Sequence, residues 1–143
     1  MRFLLTLLCI VLPLLPGCGN NDGRVTVTGT VLFDDKPLEA GRVIFTSNTS
    51  GSAGVGAIEN GKFSLDQSAS ATGVKPGDYV VVIQSWIKEP GTVGPDGNFL
   101  PGNESRIPVA YMNMEKSGLS ARVEAGKAND FTFKLSSKGP GAN

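Results

Sequence analysis

Residues 24–33 alternate strictly. Val25, Val27, Gly29, Val31 and Phe33 fall on one side, and Thr26, Thr28 and Thr30 on the other. A period of two describes a strand with one buried face, because successive side chains leave a strand on opposite sides. The same reading gives six more strands, over residues 41–46, 55–59, 62–65, 79–87, 119–124 and 130–135. Asn60-Gly61 joins two of them, and Asn-Gly suits the positive φ that a type I′ hairpin turn requires at both positions. Glu59 and Lys62 then face each other as an opposite-charge pair. Residues 34–37 are turn chemistry, residues 125–129 are read as a hairpin connection, and no stretch has a helical apolar period. With 19 Gly and 9 Pro among 143 residues, the chain is read as one all-β domain over residues 25–136. Residues 137–143 are read as a flexible tail.

Val27, Val31, Phe45, Phe63, Val81, Ile83, Phe131 and Phe133 are the predicted core. Tyr79 follows Pro76-Gly77-Asp78 and is read as a corner tyrosine that packs its ring inward and bonds nearby backbone through its hydroxyl.

Residues 3–15 form an apolar run after Met1 and Arg2, broken only by Thr6 and Pro13. As a helix the run reaches roughly 20 Å, short of the roughly 30 Å of a bilayer core, which suits the core of an export signal. Leu15-Pro16-Gly17-Cys18 follows directly and resembles a lipobox: an apolar residue, a tolerant position, a small residue, then cysteine. Pro16 departs from the usual small residue there, and the plainer alternative is an ordinary secretory signal with an incidental cysteine. The lipobox implies a signal peptide over 1–17, lipidation of Cys18 and a tether over 18–24. It places the protein in the bacterial cell envelope, bound to the membrane through the lipid. By analogy with envelope sorting in Gram-negative bacteria, the absence of an acidic residue next to Cys18 favours the outer membrane.

The chain has no histidine, which removes His-based general base catalysis and almost every zinc site. Both cysteines lie within the first 18 residues, so the body has neither a disulfide nor a catalytic thiol. Lys plus Arg and Asp plus Glu number 13 each, with no basic run, so nucleic acid has little electrostatic purchase. No cofactor or metal is expected. Gly94-Pro95-Asp96-Gly97-Asn98 lacks the ligand alternation of a calcium loop and is read as a turn.

Residues 87–107 form a long insertion rich in Gly and Pro, and loops of that length are usually functional or disordered. If Tyr79, Val81 and Ile83 face the core, then Val80, Val82 and Trp86 face outward as an apolar stripe. The insertion is expected to cover or extend that stripe with Phe99, Leu100 and Ile107. Val80, Val82, Trp86, Phe99 and Tyr111 are the candidate binding surface.

Val27-Thr28-Gly29-Thr30-Val31, Asp35-Lys36-Pro37-Leu38, Gly41-Arg42-Val43-Ile44-Phe45, Asn60-Gly61-Lys62-Phe63 and Lys75-Pro76-Gly77-Asp78-Tyr79 follow in an order that resembles the carboxypeptidase regulatory-like domain. The form found on small bacterial lipoproteins is the most similar, since Ile107-Pro108, Tyr111 and Ser117-Gly118-Leu119 match its ending. The resemblance covers nearly all of residues 25–135. It implies a seven-stranded antiparallel Greek-key β-sandwich of the transthyretin type, with no catalytic residues. An enzymatic relative of that fold, the transthyretin-like hydrolase of hydroxyisourate, uses histidines that this chain lacks. The expected role is a non-enzymatic binding, adhesion or scaffold module with a protein or glycan partner. The alternative is an accessory subunit docking through the Trp86 face and the long loop.

Overall fold

The computed structural model describes residues 23–47, 49, 53–65, 73–91, 93–98 and 104–141. Residues 1–17, read as an export signal, and Cys18 lie outside them. The described residues hold ten strands, β1 (Val27–Phe33), β2 (Lys36–Pro37), β3 (Ala40–Thr46), β4 (Ala53–Glu59), β5 (Lys62–Ser64), β6 (Gly77–Gln84), β7 (Trp86–Lys88), β8 (Glu104–Ser105), β9 (Leu119–Val123) and β10 (Asn129–Leu135). A single 3-10 turn, Val109–Met112, is the one helical element among these residues. Eight strands form one curled sheet in the order β10-β1-β5-β4-β3-β6-β9, with β2 beside β1, while β7 and β8 pair separately.

The all-β reading holds, with two corrections. The sheet is not wholly antiparallel, because β1 and β10 run parallel, from Val27 opposite Asn129 to Phe33 opposite Leu135. Nor do β9 and β10 form a hairpin: they stand at opposite ends of the sheet path. Residues 124–128 carry the chain from one end to the other. Asn129, only 7% exposed, organises that passage. Its Oδ1 accepts from the Glu124 N–H at 2.9 Å, and its Nδ2 donates to the carbonyls of Glu124 at 3.0 Å and Lys127 at 3.1 Å. The Lys127 ammonium bonds the Glu124 carboxylate on the outside of the same loop and holds its pKa below the ordinary value.

The turns follow their sequences. Asn60 and Gly61 take φ of 50° and 77°, as a type I′ turn requires, and Asp34 and Asp35 take 47° and 63° to close the two-residue β1–β2 hairpin. Glu59 and Lys62 are register partners as expected, although the Lys62 ammonium donates to Thr30 Oγ1 at 2.7 Å. Tyr79 is 2% exposed and its hydroxyl donates to the Lys75 carbonyl at 2.6 Å, which is the corner arrangement.

The core lies inside the curl. Val27 and Val31 of β1, Val43 and Phe45 of β3, and Val81 and Ile83 of β6 are fully enclosed. Phe45 touches the rings of Phe63, Tyr79, Phe131 and Phe133 at centroid distances of 5.9–6.1 Å. Phe131 is half-buried at the edge of this cluster, whereas Phe133 is 6% exposed. Gly29 faces the same interior, and a Cβ there would stand 2.2 Å from the Phe131 carbonyl oxygen and 2.6 Å from the Phe63 ring. Ile107 and Tyr111 join the core from the 3-10 segment, and Tyr111 Oη accepts from the Ser136 N–H at 2.9 Å. The tail is fastened beyond that point, since the Ser137 N–H donates to Asp34 Oδ1 at 3.0 Å.

Three stability measurements by denaturant unfolding check this packing. Phe133→Ala should cost about 3–5 kcal/mol, as for an enclosed phenylalanine, and Phe131→Ala distinctly less. Gly29→Ala should destabilise by at least about 1–3 kcal/mol, because both neighbours of the added methyl are fixed in the sheet or the core. Asn129→Ala should cost about 1–3 kcal/mol by leaving the loop's backbone groups without their partner.

Candidate functional site

The break that shapes the site falls at Ser85. Alternation through residues 79–87 predicts one strand, but the chain leaves the sheet after Gln84 and restarts as β7. Ser85 is fully buried; its Oγ donates to the Ala40 carbonyl at 2.6 Å. Its own carbonyl accepts from the Arg106 N–H at 3.0 Å and from Ser105 Oγ at 3.4 Å. A serine can stand at an enclosed break because it satisfies both its hydroxyl and its backbone there.

Residues 87–107, expected as a long loop, are in part a two-stranded ribbon. Trp86 pairs with Ser105 and Lys88 with Glu104, with a bulge between. Lys88 and Glu104 form an ion pair at 3.6 Å. Arg106 donates through Nε to the Trp86 carbonyl at 3.2 Å and reaches Glu39 at 3.4 Å, which holds the ribbon base to the sheet. Gly94-Pro95-Asp96-Gly97-Asn98 is a turn as read: the Gly94 N–H donates to the Asn98 carbonyl at 2.8 Å. Asn98 Nδ2 donates to Asp96 Oδ2 at 3.0 Å, which lowers the Asp96 pKa and occupies the carboxylate within the turn.

Of the five residues expected as a binding surface, the four that are described do not share one exposed face. Tyr111 is 3% exposed in the core, on the opposite side of the sheet from the stripe. Val82 is 5% exposed, buried outside the core cluster, while Val80 and Trp86 are half-buried. Ile107, expected to cover the stripe, is instead a core residue. Phe99 and Leu100, like Cys18, lie outside the described residues.

The structure gathers a different set around Trp86. Val43 and Phe45 point inward from β3, so Arg42 points outward, and its register partner on β6 is Gln84. Gln84 ends β6, and Trp86 opens β7 just beyond the break. Ala40, Gly41, Arg42, Gln84, Trp86, Ile87 and Glu89 line a shallow open groove. Glu89 turns back from the end of β7 to form an ion pair with Arg42, both side chains about half exposed at 54% and 47%. On the other side of β7 a second, mainly apolar groove runs between Phe33, Pro37, Leu38, Ile87 and Arg106. The outward phase of Arg42 and Gln84 was readable in their strands. No local signal marks the return of Glu89.

Among the described residues no three His, Cys, Asp or Glu side chains are grouped to hold a metal ion. No helix among them is long and apolar enough to cross a membrane. Comparison with protein-family models, with curated proteins and with solved structures returns no match.

Proposed function

We propose that this chain is a non-enzymatic envelope lipoprotein, anchored through a lipid on Cys18, whose body is a transthyretin-like Greek-key sandwich that serves as a binding module. The ordered motifs from Val27 to Leu119 support the fold assignment, and the apolar run before Cys18 supports the anchor. The absence of histidine and of any cysteine after Cys18 argues against His-based catalysis and against a thiol nucleophile.

The observation that carries the reading is strand polarity. Val27, Asn129, Gly77 and Val123 share one end of the sheet, through the β1–β10 and β6–β9 registers. The Trp86 groove and the β7–β8 ribbon stand at the other end, beyond Gln84. The length of β1, roughly 20 Å at about 3.3 Å per residue, separates the two. A chain tethered a few residues before Val27 therefore holds its grooves and ribbon away from the anchoring surface. Two or more acyl chains on the terminal cysteine suffice for stable attachment, where one is marginal.

A second reading, an accessory subunit that docks on a larger envelope protein, draws on Ile87 of β7 and Val93 of the segment between β7 and β8, which are 51% and 53% exposed. Co-purification of a stoichiometric partner from native membranes distinguishes it.

Cys18→Ser should abolish palmitate labelling and move the protein out of the membrane fraction. Labelling and membrane retention that persist in this variant would refute the anchor.

A further inference from the structure

We propose that the groove beside Trp86 binds a neutral carbohydrate chain, with the indole as stacking platform. This rests on the reading of the chain as a displayed binding module and names its ligand class.

Four features of the groove point there. Trp86 is the only tryptophan, and it is partly exposed where it lines the groove. An aromatic ring carries negative charge density on its faces, so the polarised C–H groups on one side of a pyranose are attracted to it. Gln84 adds an amide that can donate and accept at once, which suits a hydroxyl group. Arg42 and Glu89 complete the wall as an ion pair.

The pair discriminates among ligand classes. An anion would have to compete with Glu89 for the guanidinium, and a cation with Arg42 for the carboxylate. Hydroxyl groups compete with neither. A guanidinium has five N–H donors, so Arg42 has capacity left after pairing with Glu89. The groove is therefore polar without presenting a net charge, and this favours a neutral polyol.

An extended peptide fits less well. Peptides that add to a sheet need a free strand edge. β3, which supplies Ala40, Gly41 and Arg42, is paired on one side by β4 and on the other by β6, so the only free edge beside the groove is that of the three-residue β7.

Because Trp86 is the sole indole, its fluorescence reports the site directly. The test titrates cellohexaose, maltohexaose and tri-N-acetylchitotriose into the full-length protein in detergent micelles. It follows emission and acrylamide quenching, with calorimetry in parallel. At least one oligosaccharide should shift the emission and protect the indole. By calorimetry Trp86→Ala should then weaken binding at least about tenfold, while Trp86→Phe, which keeps a stacking ring, should retain part of it. Gln84→Ala leaves the fluorophore in place and should weaken the fluorescence-detected affinity. The absence of any emission change with all three sugars overturns the assignment, as does binding that Trp86→Ala leaves intact. Saturable binding of a co-purified protein that masks the indole while the sugars do not would overturn it too, in favour of a docking surface. Membrane attachment is read separately from Cys18→Ser, so a failed ligand assignment leaves the anchor reading standing, and a failed anchor leaves the groove's chemistry standing.

Discussion

Phe45 is in ring contact with aromatic side chains from three other strands: Phe63 of β5, Tyr79 of β6, and Phe131 and Phe133 of β10. β10 and β6 stand far apart along the sheet path, with four strands between them. Only a sheet curled tightly on itself brings their inner faces to one ring. Burying apolar surface in this way is worth about 25 cal/mol per Å², and an aromatic pair adds about 0.5–1.5 kcal/mol through its geometry. Gly29 makes the curl compact. With no side chain of its own between Phe63 and the β10 backbone, it lets the Phe63 ring close against β1.

The strand phases of this fold are legible because alternation is a local property. Val27, Val31, Phe45, Phe63, Val81, Ile83 and Phe133 are all buried, as their patterns predict. Pairing partners are a different matter. Nothing in the alternation of β10 distinguishes a parallel partner in β1 from an antiparallel one in β9. A connection of five residues between β9 and β10 fits a hairpin by length alone. What decides against the hairpin is Asn129, whose amide organises the connection by bonding backbone groups at both of its ends. A lone asparagine before a strand carries no sign of that role in the sequence.

The segment after β6 was the least legible part. Its Gly and Pro content hides a short ribbon, and the burial of Tyr111 depends on a 3-10 turn too brief to leave a periodic mark. Nothing local in the sequence therefore shows that the Tyr111 ring belongs to the core and its hydroxyl to the Ser136 backbone. Trp86 lies beyond the break at Ser85, so the even phase of Val80, Val82 and Gln84 does not reach it, and it is half-buried at the start of β7. Nor were its polar neighbours legible as a group. Arg42 is 44 positions before Trp86 in the chain and reaches it only through the β3–β6 register.

The Arg42–Glu89 pair bears on why the groove has the form it has. Both side chains are about half exposed, and an ion pair at that exposure contributes about 0–1 kcal/mol to stability. The ribbon base does not need it, since Arg106 already ties Ser85, Trp86 and Glu39 together. Its larger effect is on the groove itself. It ties the end of β7 to β3 and sets two hydrogen-bonding groups beside the indole, while cancelling their charges. Either residue alone would turn the groove into a site for ions. Together they leave an aromatic face with a polar, neutral wall, and the chemistry of that wall follows from a register that joins residues far apart in the chain.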